Sequence, residues 1–132
     1  MQETVMYDQL LPAEFEHRMS QCPLVYIPIG SLEWHGQHLP LGTDTIKIQA
    51  ICEEAARIGG GIVFPEVYFE IPWMVEYGSA YKFNGNVPFD PRLIGKLLNA
   101  ILNRLEAVGF LAAVFITGHT PPEQRKLIKD VA

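Results

Sequence analysis

The chain has 132 residues, of which 48% are hydrophobic and 19% are charged, a balance typical of folded domains rather than disordered chains. Its formal net charge of −5 comes from residues spread along the sequence, without the clustered Lys and Arg that nucleic-acid binding needs. The length fits one compact domain, so we predict a single domain over residues 1–132.

The beginning of the sequence lacks the features of a targeting signal. Residues 1–10 are polar and acidic, with no basic cluster and no apolar run of signal-peptide length. No stretch of the sequence reaches membrane-spanning length. The two cysteines, Cys22 and Cys52, form no C-x-x-C pair. We therefore predict a cytoplasmic protein with reduced thiols and no membrane partner.

The first half of the sequence predicts a helix, a strand and a second helix. Residues 12–19 begin with a proline, which suits the first turn of a helix. The apolar run Leu24–Ile29 predicts a buried strand. From Asp44 to Ile58 apolar residues recur at steps of three and four, with Thr43 or Asp44 as the N-cap, which indicates a helix packed on a sheet.

The second half continues the alternation. Residues 61–64 predict a second strand, and residues 65–90, rich in Pro and Gly, predict a long functional loop. Asp90 is suited to the N-cap of a helix and Pro91 to its first helical position. The helix they begin carries leucine or isoleucine at four-residue steps. Residues 111–116 predict a third strand, which is followed by a last helix.

The order of these elements decides the fold class. Apolar strands joined through helices predict an α/β protein in which a parallel sheet is covered on both faces, a three-layer α/β/α sandwich. In open parallel sheets, ligands bind beyond the carboxyl ends of the strands. Two loops that contain histidine lie at such ends.

Acidic and histidine residues gather in those two loops. The first loop carries Glu33, His35 and Asp44, and the second carries His119 and Glu123. Carboxylates and imidazoles without thiolates suit Zn²⁺, Mn²⁺ or Fe²⁺ at a site with open positions. Each residue alone is normally solvated surface, and Asp44 alone also fits a helix cap, but their co-occurrence in two loops at the sheet end favours a metal site more than any one of them does. These residue types therefore leave open both a metal site and a small-molecule-binding domain without metal.

The first loop resembles the signature of a known family. Residues 28–44 are similar to the pattern G-S-x-E-x-H-G-x-H-L-P-L-x-T-D of the creatininase (creatinine amidohydrolase) family. The pair Gly118-His119 resembles the second ligand element of that family, and Gly78-Ser79 loosely resembles its middle loop. Family members continue well past the second element, so the resemblance implies a truncated member with a creatininase-like fold.

The resemblance also implies the ligands of a metal centre. Two divalent ions (Zn, Mn or Fe) would be bound, with Asp44 bridging both, Glu33 and His119 on one ion and His35 on the other. The family completes the shell with a glutamate at the position that is Pro121 here, and the nearest substitute is Glu123.

Two further residues are predicted to contact the substrate. His38 follows His35 by three residues, where it would hydrogen-bond the substrate or orient a ligand, although a structural role is equally open. Ser79 lies in the segment that resembles the middle loop. No residue is assigned as the general acid.

The function implied by the resemblance is metal-dependent hydrolysis of a small linear or cyclic amide C–N bond by a metal-bound hydroxide. The implied partner is a small-molecule amide. Family resemblance and the open apolar edge of a three-stranded sheet together predict a homo-oligomer. The alternative is a catalytically weak or inactive metal-binding or assembly domain.

Overall fold

Three parallel strands form the sheet: β1 (Leu24–Ile29), β2 (Ile62–Val63) and β3 (Ala112–Thr117), in the order β2-β1-β3. The computed structural model describes residues 4–69, 85, 87 and 89–132. β1 pairs with β3 along its whole length, from Leu24 opposite Ala112 to Ile29 opposite Thr117. The carboxyl ends of β1 and β3 are therefore level, and the loops that follow them leave the sheet side by side.

Four α-helices accompany these strands in the described part of the chain; the first three were predicted within two residues of their observed ends, and the last was predicted without bounds. They are α1 (Pro12–Gln21), α2 (Thr43–Gly59), α3 (Pro91–Val108) and α4 (Pro122–Val131), and a short 3₁₀ helix, Tyr7–Gln9, precedes them. The side chain of Asp90 caps α3 by accepting a hydrogen bond of 2.7 Å from the backbone N–H of Arg92. Gly109, in the left-handed conformation at φ 112°, ends the same helix.

Strand β2 is shorter than predicted. Gly61 has a φ of 97°, which is outside the range of extended backbone, and Pro65 has no N–H to donate to a neighbouring strand. Only Ile62 and Val63 are therefore paired as a strand, and Phe64 adds one backbone hydrogen bond of 2.8 Å to the carbonyl of Tyr26.

Helices cover the sheet on both faces, as the three-layer prediction requires. On one face, residues from α1, α3 and α4 pack against the odd-numbered residues of β1, and fully buried Ile27, Ile94 and Leu98 lie at the centre. On the other face, α2 packs through Ile48 and Cys52. The α/β/α fold class is confirmed.

One edge of the sheet is open in the described part of the chain. β1 lies on one side of β3, and no described strand pairs with its other side. Leu111, next to this edge, has 84% of its surface exposed, and Val114 is exposed as well. The described helices include none that is both long and apolar enough to cross a membrane.

Candidate metal centre

The end of β1 lies directly against the first turn of α2. A Cβ atom on Gly30 would lie only 2.1 Å from Thr45 Oγ1 and 2.4 Å from Thr45 Cα, so only glycine fits there. The Thr45 hydroxyl donates a hydrogen bond of 3.2 Å to the carbonyl of Ser31. These contacts fix the first turn of α2, and with it Asp44, beside the loop that carries Glu33 and His35.

The end of β3 contacts the same turn. A Cβ atom on Gly118 would lie 2.3 Å from the backbone oxygen of Asp44, so this glycine also permits a close backbone approach. His119 follows, and its backbone N–H donates to Thr117 Oγ1 at 3.3 Å, while the Thr117 hydroxyl donates to the carbonyl of His119. The two histidine loops therefore meet across the start of α2.

Four of the predicted ligands converge in this place. His35 Nε2 lies 3.6 Å from Glu33 Oε1 and 3.4 Å from Asp44 Oδ2. His119 Nδ1 lies 2.9 Å from the same Glu33 oxygen and 3.3 Å from the same Asp44 oxygen. Each carboxylate oxygen is thus shared between two imidazoles.

Hydrogen bonds orient these side chains. His35 Nδ1 lies 3.0 Å from the carbonyl oxygen of Glu33. Because a carbonyl oxygen only accepts, Nδ1 is the donor, and Nε2 is the ring nitrogen that faces the two carboxylates. Ser31 Oγ donates to Asp44 Oδ2 at 3.1 Å. This is the pattern in which metal-binding imidazoles are held by a second hydrogen bond.

The cluster is buried and acidic. Glu33, Asp44 and His119 are 8%, 6% and 7% exposed. Burial alone would raise the pKa of Asp44, but hydrogen bonds from His119 and Lys47, together with the charges of Lys47 and His35, hold it well below its usual range. Asp44 is therefore ionised at neutral pH.

This donor set fits a divalent cation. Ligand bonds of about 2.0–2.2 Å in a tetrahedral arrangement place donor atoms roughly 3.3–3.6 Å apart, close to the observed carboxylate–imidazole separations of 2.9–3.6 Å. Glu33, His35 and Asp44 each offer a ligand atom within 4.8 Å of the other two. Buried carboxylates need a cation or strong donors to offset their desolvation, and these have two imidazoles and one ammonium.

A cavity of about 310 Å³ opens onto the cluster. Its walls combine the ligand-bearing residues with the loop that follows β3: Glu33, Asp44, Gly118, His119, Thr120, Pro121 and Pro122. This volume lies at the small end of the range for ligand sites, so the cavity suits a small molecule.

The other predicted site residues do not join this cluster. Glu123 is exposed in the first turn of α4 and is absent from the cavity wall, and His38 is exposed in a turn. Ser79 lies outside the described residues. The expected cap role of Thr43 or Asp44 was wrong, because Gly42 is the N-cap of α2 and the Asp44 side chain faces the imidazoles instead.

Sequence reasoning missed Lys47 and Ser31. Lys47 Nζ donates to Asp44 Oδ1 at 3.0 Å and to the carbonyl of Gly118 at 3.2 Å. The signal that could have identified it is its position three residues after Asp44, which places both side chains on one face of α2. Ser31 lies within the motif itself but had no assigned role.

The fold and the donor set define a parallel α/β protein with carboxylates and imidazoles at the carboxyl end of its sheet. Residues 8–132 match the family model Creatininase, described as creatinine amidohydrolase. The chain belongs to this family, and the resemblance stated from its first loop is confirmed.

Curated relatives agree with the family match. The chain is 26% identical over 121 residues to the creatinine amidohydrolase of Pseudomonas putida, which covers 90% of this chain and 46% of the relative. It is 31% identical over 103 residues to the mycofactocin precursor peptide peptidase of Mycolicibacterium smegmatis, and this match covers 76% of this chain and 40% of the relative. The chain thus spans less than half the length of these relatives.

Solved structures share the fold. A mutant creatininase of Zn–Zn type superposes with a TM-score of 0.81 at 24% identity, covering 98% of this chain and 52% of that one. A manganese creatininase superposes with a TM-score of 0.80 at 25% identity, and the match covers 98% of this chain and 51% of that one. Zinc and manganese are thus the metals named for these two structures.

Proposed function

We propose that this chain carries the metal centre of a hydrolase that cleaves a small linear or cyclic amide C–N bond. The observation that carries the proposal is the sharing of Glu33 Oε1 and Asp44 Oδ2 between the imidazoles of His35 and His119. Beside a small cavity, Glu33 and Asp44 are buried with the single ammonium group of Lys47, so a divalent cation would offset the remaining carboxylate charge. Family membership supports the same class of reaction.

Up to two divalent ions, with Zn, Mn and Fe as candidates, would be held by Glu33, His35, Asp44 and His119, and Glu123 stays a predicted additional ligand. Bound there, the metal would polarise the amide carbonyl and acidify water. The protein supplies the rest. The hydrogen bond to the Glu33 carbonyl fixes the tautomer of His35, and Ser31 and Lys47 hold the Asp44 carboxylate.

The substrate is proposed to be small. The cavity of about 310 Å³ is lined by charged donors together with Pro121 and Pro122, so a compact amide that is partly polar and partly apolar suits it. His38 and Ser79 stay predicted substrate contacts.

Metal analysis tests the centre first. We expect purified wild-type protein to carry roughly one to two equivalents of divalent metal, and His35→Ala and His119→Ala to lose most of it. His17→Ala is the matched control, because His17 is an exposed histidine on α1. Metal content that is equal in all four proteins would refute the proposed centre.

Turnover tests the reaction. The metal-loaded protein is assayed for amine or ammonia release from a panel of small linear and cyclic amides. A rate of roughly 1 s⁻¹ or faster on any of them would be typical of an enzyme, and loss of that rate in His119→Ala would connect it to the centre.

A second candidate function is a metal-binding domain with weak or no hydrolase activity. It is favoured by the exposed position of Glu123 and by Pro121, which offers no ligand atom on the cavity wall. A metal-replete sample without measurable turnover on the panel would favour this candidate over the first.

A further inference from the structure

Lys47 contacts the candidate metal centre without being one of its predicted ligands. It is on α2, one turn after Asp44, and its side chain is 52% exposed. Its ammonium group donates to Asp44 Oδ1 at 3.0 Å and to the carbonyl of Gly118 at 3.2 Å. The charge therefore reaches the buried cluster from the solvent side.

The two oxygens of Asp44 have different partners. Oδ2 accepts from Ser31 and faces His35 and His119, whereas Oδ1 is bound by Lys47. A carboxylate that holds one ion through each oxygen needs both oxygens free. In this protein the second oxygen already has a cation, and that cation is part of the chain.

We propose that the ammonium group of Lys47 competes with a second divalent ion for Asp44 Oδ1, so that one ion binds first on the Oδ2 side and a second would bind only after the ammonium group leaves Oδ1. This inference rests on the proposed function, because it assigns the order in which the same centre is loaded.

The charges of the cluster support this order. With neutral imidazoles, Glu33 and Asp44 contribute two negative charges and Lys47 one positive charge. The first divalent ion therefore binds where one negative charge of the two carboxylates is not balanced by Lys47. A second ion would bind next to that first ion, which has the same sign of charge, and only after the ammonium group has given up its hydrogen bond to Oδ1, so both effects weaken its binding.

A purely structural role for Lys47 predicts a different result. Its contact with Gly118 connects α2, which carries Asp44, to the loop that carries His119, so removing a purely structural lysine would weaken the binding of every ion. The proposed competition instead predicts that removing the charge strengthens the second ion selectively.

The experiment is a calorimetric titration of the metal-free full chain with Zn²⁺, repeated with Mn²⁺. In the wild type we expect one tight ion and a second that binds at least about tenfold more weakly. Lys47→Met keeps most of the side-chain volume without the charge, and we expect it to tighten the second ion at least about tenfold while changing the first less. Lys47→Arg should keep the gap, and Lys96→Met, an exposed lysine on α3, is the matched control.

The outcomes separate the two proposals. A tight first ion with a second-ion affinity that is unchanged or weaker in Lys47→Met would overturn the role of Lys47 and leave the metal centre intact. Two equally tight ions in the wild type would do the same. No tight ion in any of the proteins would overturn the proposed centre and the role of Lys47 together.

Discussion

Gly118→Ala is the substitution that tests most directly how the fold builds the proposed metal centre. The added Cβ atom would lie 2.3 Å from the backbone carbonyl oxygen of Asp44, 2.9 Å from its carbonyl carbon and 3.2 Å from its Cα. All three are backbone atoms, so no side-chain rotation relieves the contact. Because real Cβ atoms essentially never come closer than 3.0 Å, the loop after β3 and the start of α2 must separate by roughly 0.7 Å or more.

That separation acts on the ligands themselves. His119 follows Gly118 directly, and its Nδ1 is 3.3 Å from Asp44 Oδ2, so a shift of this size moves one ligand away from another. We expect overpacking to lower the free energy of unfolding by about 1–3 kcal/mol. We expect the affinity for the first metal ion to fall about tenfold to a hundredfold, as for changes that misplace metal ligands.

Urea denaturation and metal titration measure the two effects. Gly59→Ala is the control, because the nearest atom to its Cβ would be the Tyr26 hydroxyl at 3.6 Å, an ordinary contact at the end of α2. If Gly118→Ala bound its first ion as tightly as Gly59→Ala does and unfolded at the wild-type urea concentration, the close approach of the two segments would not be what positions the ligands.

Three further predictions concern the ligands, the core and the sheet edge. Asp44→Asn should reduce bound metal, measured by elemental analysis, more than Glu123→Ala, since Asp44 is buried among the imidazoles and Glu123 is exposed; equal losses would contradict this ranking. Burial, together with the nearby charge of Glu53, raises the pKa of the Cys52 thiol from 9.0 to about 11, so the stability that this thiol contributes is complete below about pH 9 and is lost as the pH rises through about 11. The stability difference between wild type and Cys52→Ala in urea should therefore shrink over that interval, and a constant difference would argue against the shift. The open edge of β3 beside exposed Leu111 should make the chain at least a dimer in sedimentation, and a monomer at all concentrations would count against it.

Elements with local end signals were predictable from the sequence. Helix α3 has a capping aspartate, a proline in its first turn and a glycine at its end, and it was predicted almost to the residue. Strand β2 was overestimated, because an apolar run does not reveal the positive φ of Gly61. Strand length depends on which neighbours accept hydrogen bonds, and a single sequence does not contain that information.

The proximity of the candidate ligands was predictable because strand ends of a parallel sheet gather at one edge. That principle brings Glu33 and His119 together without any knowledge of distances, and the structure does bring them together at 2.9 Å. It does not say which nearby residues complete the cluster. In the sequence, Lys47 is indistinguishable from any exposed lysine on a helix. Only its two hydrogen bonds in the structure distinguish it from the solvated residues of α2.

The glycines of the two loops are as necessary to the site as the candidate ligands, because they allow the close backbone approaches that position those ligands. The first turn of α2 lies against the ends of both β1 and β3, and it does so through Gly30 at Thr45 and Gly118 at Asp44. A side chain at either position would push the helix away from one strand and separate Asp44 from an imidazole. Asp44 can be shared between His35 and His119 only if both approaches are close. The two glycines therefore set the distances between the donors, and the carboxylates and imidazoles set the chemistry.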